Sequence, residues 1–105
     1  MKDRRGVILL FFDLPMKTKE DRRKYAGFKK QVKRNGYVSI QESVMIKLIH
    51  NTSLAGKELD KLKQIAVREG SIYAIPICLS NFMKLVSVSD NMFDFEFYTG
   101  NTVYL

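Results

Sequence analysis

One carboxylate, Asp13, stands at the point where an apolar segment of the sequence gives way to a basic one. The run Gly6–Phe12 (GVILLFF) precedes it, and Arg22 and Arg23 follow nine and ten residues later. A carboxylate at the end of a strand can bind Mg²⁺ or Mn²⁺, because both cations prefer hard oxygen ligands. A metal that activates water and an arginine that offsets phosphate charge could together hydrolyse a phosphodiester bond. Asp13 is therefore the candidate catalytic residue and the candidate metal ligand.

Asp13 also has a purely structural interpretation. An aspartate directly before Leu14-Pro15 can end a strand while its oxygens accept hydrogen bonds from backbone N–H groups of the loop. For the residue taken alone we favour this structural interpretation, since one carboxylate is too few to make a strong metal site. A twofold axis close to the strand end would bring a second Asp13 and double the number of ligands, so both interpretations stay open.

The basic residues of the chain are concentrated in its first third. Residues 1–35 hold twelve Lys or Arg and four Asp or Glu, whereas residues 36–105 hold six and seven, so the net charge of +7 arises in the first segment. A concentrated basic surface favours a polyanion such as a nucleic acid, because phosphate contacts release counterions. The alternative is a solvated helix surface that only aids solubility. The candidate nucleic-acid-binding residues are Arg22, Arg23, Lys29, Lys30, Lys33 and Arg34.

The rare residue types exclude several kinds of site. With Cys78 as the only cysteine and His50 as the only histidine, the chain can form neither an internal disulfide nor a zinc site of nitrogen and sulfur ligands. The apolar run before Asp13 is too short to cross a bilayer, and it lacks a signal-peptide cleavage site. These features predict a cytoplasmic protein with no membrane partner.

Local patterns predict the elements around the candidate acid. The continuous, β-rich run Gly6–Phe12 predicts a central strand. Thr18 can cap the following helix, with Asp21 as its capping-box partner. The helix should run to about Arg34, where an Asn-Gly pair supplies a left-handed stop.

The rest of the chain continues the alternation of strands and helices. The predicted elements are two strands within residues 37–49 with a turn at about Gln41–Ser43, a helix at about Leu54–Glu69 ended by Gly70, a strand over Ser71–Leu79, and a terminal strand over Thr102–Leu105. Pro76 predicts that the strand containing it lies at an edge of the sheet or carries a bulge. The order β-α-β-β-α-β with an additional short C-terminal strand predicts a ferredoxin-like α+β fold in a single domain, residues 1–105.

A ferredoxin-like sheet carries both helices on one face, so its second face needs another cover. A second copy is the simplest cover for so short a chain, which predicts a homodimer. Phe11 and Phe12 are predicted to be core residues rather than a stacking platform for bases. Near the C-terminus Phe93, Phe95 and Phe97 alternate with acidic residues, as on a half-buried strand. That segment could bind a partner or dock on its own domain.

The order of these motifs resembles one known family. The matching stretches are "LLFFDLP", the helix with "DRRKY" and "FKKQVKRNGY", the turn "QESV" and the apolar strand "SIYAIPI". The chain resembles the CRISPR-associated protein 2 family, the small endoribonuclease-like subunits of the complex that acquires CRISPR spacers. The resemblance extends over nearly the whole chain.

The resemblance implies partners that the residues alone do not identify. It implies a homodimer of ferredoxin-like subunits, with the C-terminal segment, about residues 80–105, packing on the dimer partner and Thr102–Leu105 crossing to its sheet. It implies a CRISPR integrase as a second partner, with two integrase dimers flanking the central dimer. Double-stranded pre-spacer DNA would lie across the basic surface of that dimer.

The resemblance also implies a nuclease centre. Some members of the family are metal-dependent nucleases on RNA or duplex DNA, and the acid that ends their first strand corresponds to Asp13. Their arginines correspond to Arg22 or Arg23 and to Arg34. Phe12 stands at a position that is often tyrosine, so any role for a hydroxyl there is lost. The implied cofactor is Mg²⁺, with Mn²⁺ as the alternative.

Three functions are open on the sequence. The resemblance favours a dimeric scaffold for spacer integration, with nuclease activity as a variable addition. The alternative is a free-standing Mg²⁺-dependent ribonuclease of the toxin-like kind, which shares the same fold plan. The third is a small regulatory sensor that binds a metabolite, although no residue pattern marks a ligand pocket.

Overall fold

Four antiparallel strands form one sheet. In the computed structural model, which describes residues 3–89, they are β1 (Gly6–Asp13), β2 (Val38–Gln41), β3 (Val44–Ile49) and β4 (Ser71–Cys78). Their order across the sheet is β2-β3-β1-β4, so β1 pairs with a neighbour along both sides. The prediction of a ferredoxin-like α+β fold is confirmed. The predicted strand Thr102–Leu105 lies outside the described residues.

Two long helices lie between the strands as predicted. They are α1 (Lys19–Arg34) and α2 (Ala55–Ile65); a short 3₁₀ turn (Thr52–Leu54) precedes α2, and a single turn, α3 (Leu79–Phe82), follows the last strand. The predicted capping box is confirmed, because the Thr18 hydroxyl accepts from the Asp21 N–H at 2.9 Å and the Asp21 carboxylate accepts from the Thr18 N–H. No helix within residues 3–89 is long and apolar enough to cross a membrane.

The second helix is shorter than predicted. It ends at Ile65 rather than at about Glu69, and Ala66 is already extended, with ψ 141°. The chain leaves the helix here because Val67, which is half-buried, packs against the core from the extended segment. Gly70 therefore does not end the helix. It lies in the turn before β4 with a left-handed φ of +84°.

The alternation of side chains along β1 separates two apolar clusters. Ile8, Leu10 and Phe12 pack with α1 and α2, through residues such as Phe28 and Leu62. The residues of opposite parity pack on the other face, in a second cluster made of Val7, Ile46, Leu79 and Phe82. The sheet therefore has a helix-covered face and a second face, here called the open face, which α3 and the residues after it cover only in part.

Large apolar side chains remain exposed on the open face. Phe11, Tyr73 and Ile75 have relative exposures of 41%, 60% and 49%. The rings of Phe11 and Tyr73 stack with centroids 5.7 Å apart. Phe12 is buried as predicted, but the prediction that Phe11 is a core residue is wrong, because α3 does not reach that end of the sheet. Pro76 lies in the edge strand β4, as predicted.

One half-buried ion pair joins the sheet to α2. Lys47 Nζ on β3 lies 2.9 Å from Glu58 Oε1, and their side chains are only 22% and 12% exposed. The Lys47 ammonium also lies 5.9 Å from the centre of the Tyr37 ring. Glu58 Oε2 is buried and has no hydrogen-bond partner within residues 3–89. Lys61 of α2 lies further from the same oxygen, at 3.8 Å, so the carboxylate depends mainly on Lys47 for its compensation.

We expect Glu58→Ala to lower the free energy of unfolding by about 2 kcal/mol, because it leaves the half-buried Lys47 ammonium unpaired. The measurement is urea unfolding at one fixed protein concentration, since association would otherwise alter the apparent stability. Asp60→Ala on the same helix is the matched control, because within residues 3–89 the one ion pair of Asp60 is with the exposed Lys63, at 4.0 Å. Equal losses in the two variants would contradict the assigned role of Glu58.

Candidate nucleic-acid interface and the Asp13 edge

Asp13 is the last residue of the central strand and is exposed. It pairs in register with Ser71 of β4, and it has the same parity as Phe11, so it belongs to the open face. Within residues 3–89 its carboxylate makes no hydrogen bond and no ion pair. The structure therefore does not use Asp13 as a cap for the following loop, which was the structural interpretation of this residue.

Gly70 closes tightly over the backbone of Asp13. A side chain at Gly70 would overlap the Asp13 carbonyl oxygen and would come within 2.9 Å of Leu14 Cα. The preceding residue, Glu69, forms an ion pair with Lys24 of α1 at 2.7 Å. The hydrogen bond between them lowers the pKa of Glu69 and raises that of Lys24. The turn before β4 is thus fixed against both the end of β1 and the first helix.

Arg22 is committed to the loop that follows Asp13. Its Nη1 donates to the carbonyl oxygens of Met16 and Lys17, each at 3.2 Å. Both bonds use one nitrogen of the guanidinium, so the remaining N–H groups stay available to an anion. Arg23 forms an ion pair with Glu20 at 2.8 Å, and both side chains are exposed. The role of Arg22 and Arg23 in nucleic-acid binding stays a prediction.

A second set of contacts joins α1 to the β2–β3 turn. The Tyr25 hydroxyl donates to Glu42 Oε1 and lies 3.4 Å from Ser43 Oγ. Burial, followed by the hydrogen bond to Glu42, raises the pKa of Tyr25. Ser43 has a left-handed φ of +63°, and its carbonyl accepts the Phe12 N–H at 3.0 Å. The sequence analysis placed the turn here but missed its link to Tyr25, seventeen residues away.

The outer surface of α1 is basic and almost free of acids. Between Asp21 and Glu42 the chain contains no Asp or Glu. Lys29 lies 6.0 Å from the centre of the Tyr25 ring. Lys30, Lys33 and Arg34 are exposed, and within residues 3–89 none of them has an ion-pair partner. A shallow depression on this surface is lined by Tyr25, Ala26, Lys29, Lys30, Lys33 and Arg34.

The acid and the main basic surface lie at opposite ends of one subunit. The first helix begins beside the end of β1 and runs back along the sheet, so Arg22 and Arg23 are the predicted site residues nearest to Asp13. Lys33 lies eleven residues further along, about 17 Å at 1.5 Å per residue. The six basic candidates therefore form a strip along α1 and do not converge on Asp13.

The metal-binding capacity of one subunit at this edge is low. Within residues 3–89 no group of three or more His, Cys, Asp or Glu side chains could hold a metal ion. Asp13 supplies one carboxylate. It can therefore bind Mg²⁺ only when phosphate oxygens, water or a second carboxylate occupy the remaining coordination positions. The residues of one chain therefore fit a metal in part.

Fold and surface together define a class: a small ferredoxin-like protein with an exposed acid ending its first strand and a basic first helix. A sequence model of the family described as CRISPR associated protein Cas2 matches residues 7–85. This match covers every strand and helix described above except for Gly6, the first residue of β1. The chain belongs to the CRISPR associated protein Cas2 family.

Individual relatives agree with this assignment. The CRISPR-associated endoribonuclease Cas2 of Acidovorax ebreus is 36% identical over 81 residues, which cover 75% of this chain and 79% of that protein. The protein of the same name from Streptococcus mutans serotype c is 29% identical over 79 residues, covering 75% of this chain and 74% of its own length. That of Treponema denticola is 27% identical over 78 residues, covering 74% and 77%.

We expect Gly70→Ala to destabilise the protein by about 2 kcal/mol or more, because alanine is strained at positive φ and its methyl group would displace the Asp13 carbonyl. Urea unfolding measures the loss, and backbone amide chemical shifts of Asp13 and Leu14 report the displacement. Gly27→Ala is the control, since a Cβ there meets nothing within 4 Å. That variant should be neutral or up to about 1 kcal/mol more stable. A Gly70→Ala protein as stable as Gly27→Ala would contradict the close approach.

Proposed function

We propose that this protein is a CRISPR adaptation subunit: a dimeric scaffold that binds double-stranded pre-spacer DNA and bridges integrase dimers during spacer acquisition. The observation that carries the proposal is the strip of cations along α1. Phosphate groups spaced along a duplex require cations spaced along a surface, and their contacts do not depend on sequence. A strip that does not converge on one point suits a duplex lying across the surface better than a small ligand.

Three features of the strip support duplex binding. Lys30, Lys33 and Arg34 are exposed and unneutralised, so binding a phosphate breaks no ion pair within the described chain. The Lys29 ammonium is held near the Tyr25 ring, which limits its freedom before binding. The helix itself is fixed at both ends, by the Thr18 capping box and by the turn at Gly36, where φ is +96°. The cations thus stand on a rigid element.

The homodimer is supported by the open face. Phe11, Tyr73 and Ile75 expose a contiguous apolar surface that water disfavours, and burial against a second copy would remove it. The Asp13 side chain belongs to the same face of the sheet. A twofold axis passing near the end of β1 would therefore bring the two Asp13 carboxylates of a dimer together. A dimer would also present two α1 strips, which lengthens the basic surface available to one duplex.

The integrase partner rests on membership of the Cas2 family together with the resemblance of the motifs. No described residue identifies the surface that an integrase would contact. A scaffold of this kind acts by holding DNA and partners at fixed spacing, and it needs no reaction of its own. The expected exchange of Thr102–Leu105 between subunits also stays a proposal.

A second candidate function, metal-dependent cleavage of RNA or duplex DNA, is favoured by Asp13, which is exposed and has no ion-pair partner in the described part of the chain. The relatives from Acidovorax ebreus and Streptococcus mutans are named endoribonucleases, which agrees with this candidate. Asp13 from two subunits would hold Mg²⁺ or Mn²⁺, and the metal would supply Lewis-acid activation of water. Arg22 and Arg23, at the adjacent end of α1, would bind the phosphate. A free-standing, toxin-like ribonuclease would use these same residues without an integrase.

We expect the triple variant Lys30→Gln, Lys33→Gln, Arg34→Gln to weaken binding of labelled duplex DNA for every sequence tested. Loss of three phosphate contacts should reduce the slope of log K against log salt by about 2.7. The measurement is fluorescence anisotropy across a series of salt concentrations.

The matched control for this variant removes the same charge from α2, as Lys57→Gln, Lys61→Gln, Lys63→Gln. If only net charge matters, both triple variants should weaken binding equally. If α1 is the interface, the α2 variant should retain most of the salt dependence. Equal losses of DNA affinity in the two variants would contradict the assignment of the strip as the DNA-binding surface.

For the nuclease candidate, we expect Asp13→Asn to abolish metal-dependent cleavage while leaving the affinity for duplex DNA within about two-fold, because the carboxylate is remote from Lys30, Lys33 and Arg34. Labelled duplex DNA and single-stranded RNA are incubated with each protein in Mg²⁺, Mn²⁺ or EDTA, and bound and cleaved species are read from the same samples. Asp60→Asn, a remote exposed acid, controls for charge and for contaminating nucleases.

The two functions give different outcomes in this assay. Cleavage that needs metal and is lost only in Asp13→Asn makes Asp13 catalytic. Cleavage that persists in Asp13→Asn excludes Asp13 from the reaction. Binding without cleavage in any metal leaves the scaffold as the function and Asp13 without a catalytic role.

A further inference from the structure

One tyrosine of α1, Tyr25, contacts three different parts of the molecule. Its ring lies 6.0 Å from the Lys29 ammonium of the basic strip. The same ring packs at a tilt against the ring of Phe12, with centroids 5.9 Å apart. Its hydroxyl donates to Glu42 in the β2–β3 turn. Tyr25 therefore lies between the basic strip and the end of β1 that carries Asp13.

The β2–β3 turn has a conformation that needs support from outside the turn. Ser43 has a φ of +63°, and within residues 3–89 it is the only residue other than glycine with a positive φ. Such a backbone conformation is unfavourable for a residue with a side chain. The pairing of β2 with β3 is also irregular, with a register shift between Ser39 and Gln41. The Tyr25 hydroxyl, which contacts both Glu42 and Ser43, supplies support from α1.

Ser43 is in addition the last contact of β1 on the side of β3. The paired register of β1 and β3 ends one residue before Phe12. Beyond that point the Phe12 N–H donates to the Ser43 carbonyl oxygen at 3.0 Å. Asp13 follows directly and pairs with Ser71 on the side of β4. The position of the Asp13 backbone thus depends on the Ser43 contact on one side of the strand and on Ser71 on the other.

We propose that Tyr25 is a positioning residue for Asp13: its hydroxyl holds the β2–β3 turn, and the turn holds the end of β1. The inference rests on the second candidate function, because the position of the Asp13 carboxylate affects a reaction only if that carboxylate is catalytic. Helix α1 covers one face of the sheet and Asp13 belongs to the other. Tyr25 therefore acts through the backbone of the turn and not by touching the substrate.

The hydrogen bond on which this role depends is of a strong kind. Burial, followed by the hydrogen bond to Glu42, raises the pKa of Tyr25, so its hydroxyl remains a donor at neutral pH. Within residues 3–89 no cation forms an ion pair with Glu42, so its carboxylate is free to accept this bond. A hydrogen bond to a carboxylate is stronger than one between neutral groups.

Loss of the hydroxyl alone should leave the basic strip in place. Tyr25→Phe keeps the ring, so the packing against Phe12 and the contact with the Lys29 ammonium can persist. The variant removes only the contacts with Glu42 and Ser43. Its effects should therefore be confined to the turn and to the end of β1.

Hydrogen exchange of the Phe12 amide tests whether the hydroxyl holds the end of β1. We expect Tyr25→Phe to accelerate this exchange about ten-fold, because the turn that accepts the amide is released. The Leu10 amide, in the middle of the same strand, should keep its rate, and backbone amide NMR measures both in one sample. An unchanged rate at Phe12 would overturn the proposal. Equal acceleration at both amides would also overturn it, since it would show a general loss of stability.

Two variants of Glu42 separate the hydrogen bond from the charge. Glu42→Gln removes the charge but keeps an oxygen that can accept from the Tyr25 hydroxyl, whereas Glu42→Leu removes both. We expect exchange of the Phe12 amide to stay within about three-fold of the wild-type rate in Glu42→Gln and to rise as in Tyr25→Phe in Glu42→Leu. Equal rises in the two variants would overturn the assignment of the hydrogen bond.

Single-turnover cleavage of labelled RNA and duplex DNA in Mg²⁺ or Mn²⁺ tests the consequence for the reaction. We expect Tyr25→Phe to lower the maximum rate by about ten-fold or more, with the half-saturating protein concentration unchanged, because the carboxylate moves while the strip stays in place. Glu42→Gln should keep most of the wild-type rate, and Glu42→Leu should lose it as Tyr25→Phe does.

The failure of this inference differs from the failure of the nuclease candidate. Cleavage by the wild type at a rate that Tyr25→Phe leaves unchanged would overturn the positioning role and leave the nuclease candidate intact. A wild type that cleaves neither substrate would overturn the nuclease candidate and, with it, the role of Tyr25 in a reaction. The exchange rate of the Phe12 amide would in that case still decide whether the hydroxyl holds the end of β1.

Discussion

The central strand β1 is the constraint on which the rest of the structure depends. It pairs with a strand on each side, so it cannot move at its edges, and its side chains alternate between two faces that are covered differently. The residues of one parity, Ile8, Leu10 and Phe12, are sealed under α1 and α2. The other parity carries Phe11 and Asp13 to the open face. The exposed positions of the Asp13 carboxylate and of the Phe11 and Tyr73 rings therefore have the same cause: the helices cover the other face of the sheet.

The separation of acid from base within a subunit follows from the same geometry. Helix α1 runs antiparallel to β1, so it begins beside the end of β1. The last turn of α1 therefore lies at the opposite end of the sheet. The cations that have no ion-pair partner within residues 3–89, Lys30, Lys33 and Arg34, therefore lie away from Asp13, whereas the nearby Arg22 and Arg23 already contact the loop and Glu20. The exposed cations of α1 and the Asp13 edge are thus physically distinct, and a change at one need not affect the other.

Features that depend on neighbours along the chain could be predicted from the sequence, and features that depend on tertiary contacts could not. The capping box of Thr18, the edge position of Pro76 and the turn at Ser43 all follow from local chemistry, and the structure has each of them.

The end of α2 was misplaced, because Val67 leaves the helix to pack on the core. Phe11 was misplaced because an apolar run does not reveal which parity is covered. The links from Tyr25 to Glu42 and from Lys47 to Glu58 join elements distant in sequence, and no local signal indicates them. The sequence indicated which residues could act, namely one acid and six basic residues. Only the fold showed that the acid lies at the end of β1 while the basic residues run along α1.

The open face and the basic strip are governed by different physical forces. On the open face, apolar side chains such as Phe11, Tyr73 and Ile75 are exposed, and a contact there would be driven by burial of apolar surface. In the proposed function, duplex binding along α1 would instead be driven by release of counterions, which added salt opposes. Solution conditions alone would then separate the proposed dimer from the proposed DNA complex, because added salt would weaken only the DNA complex.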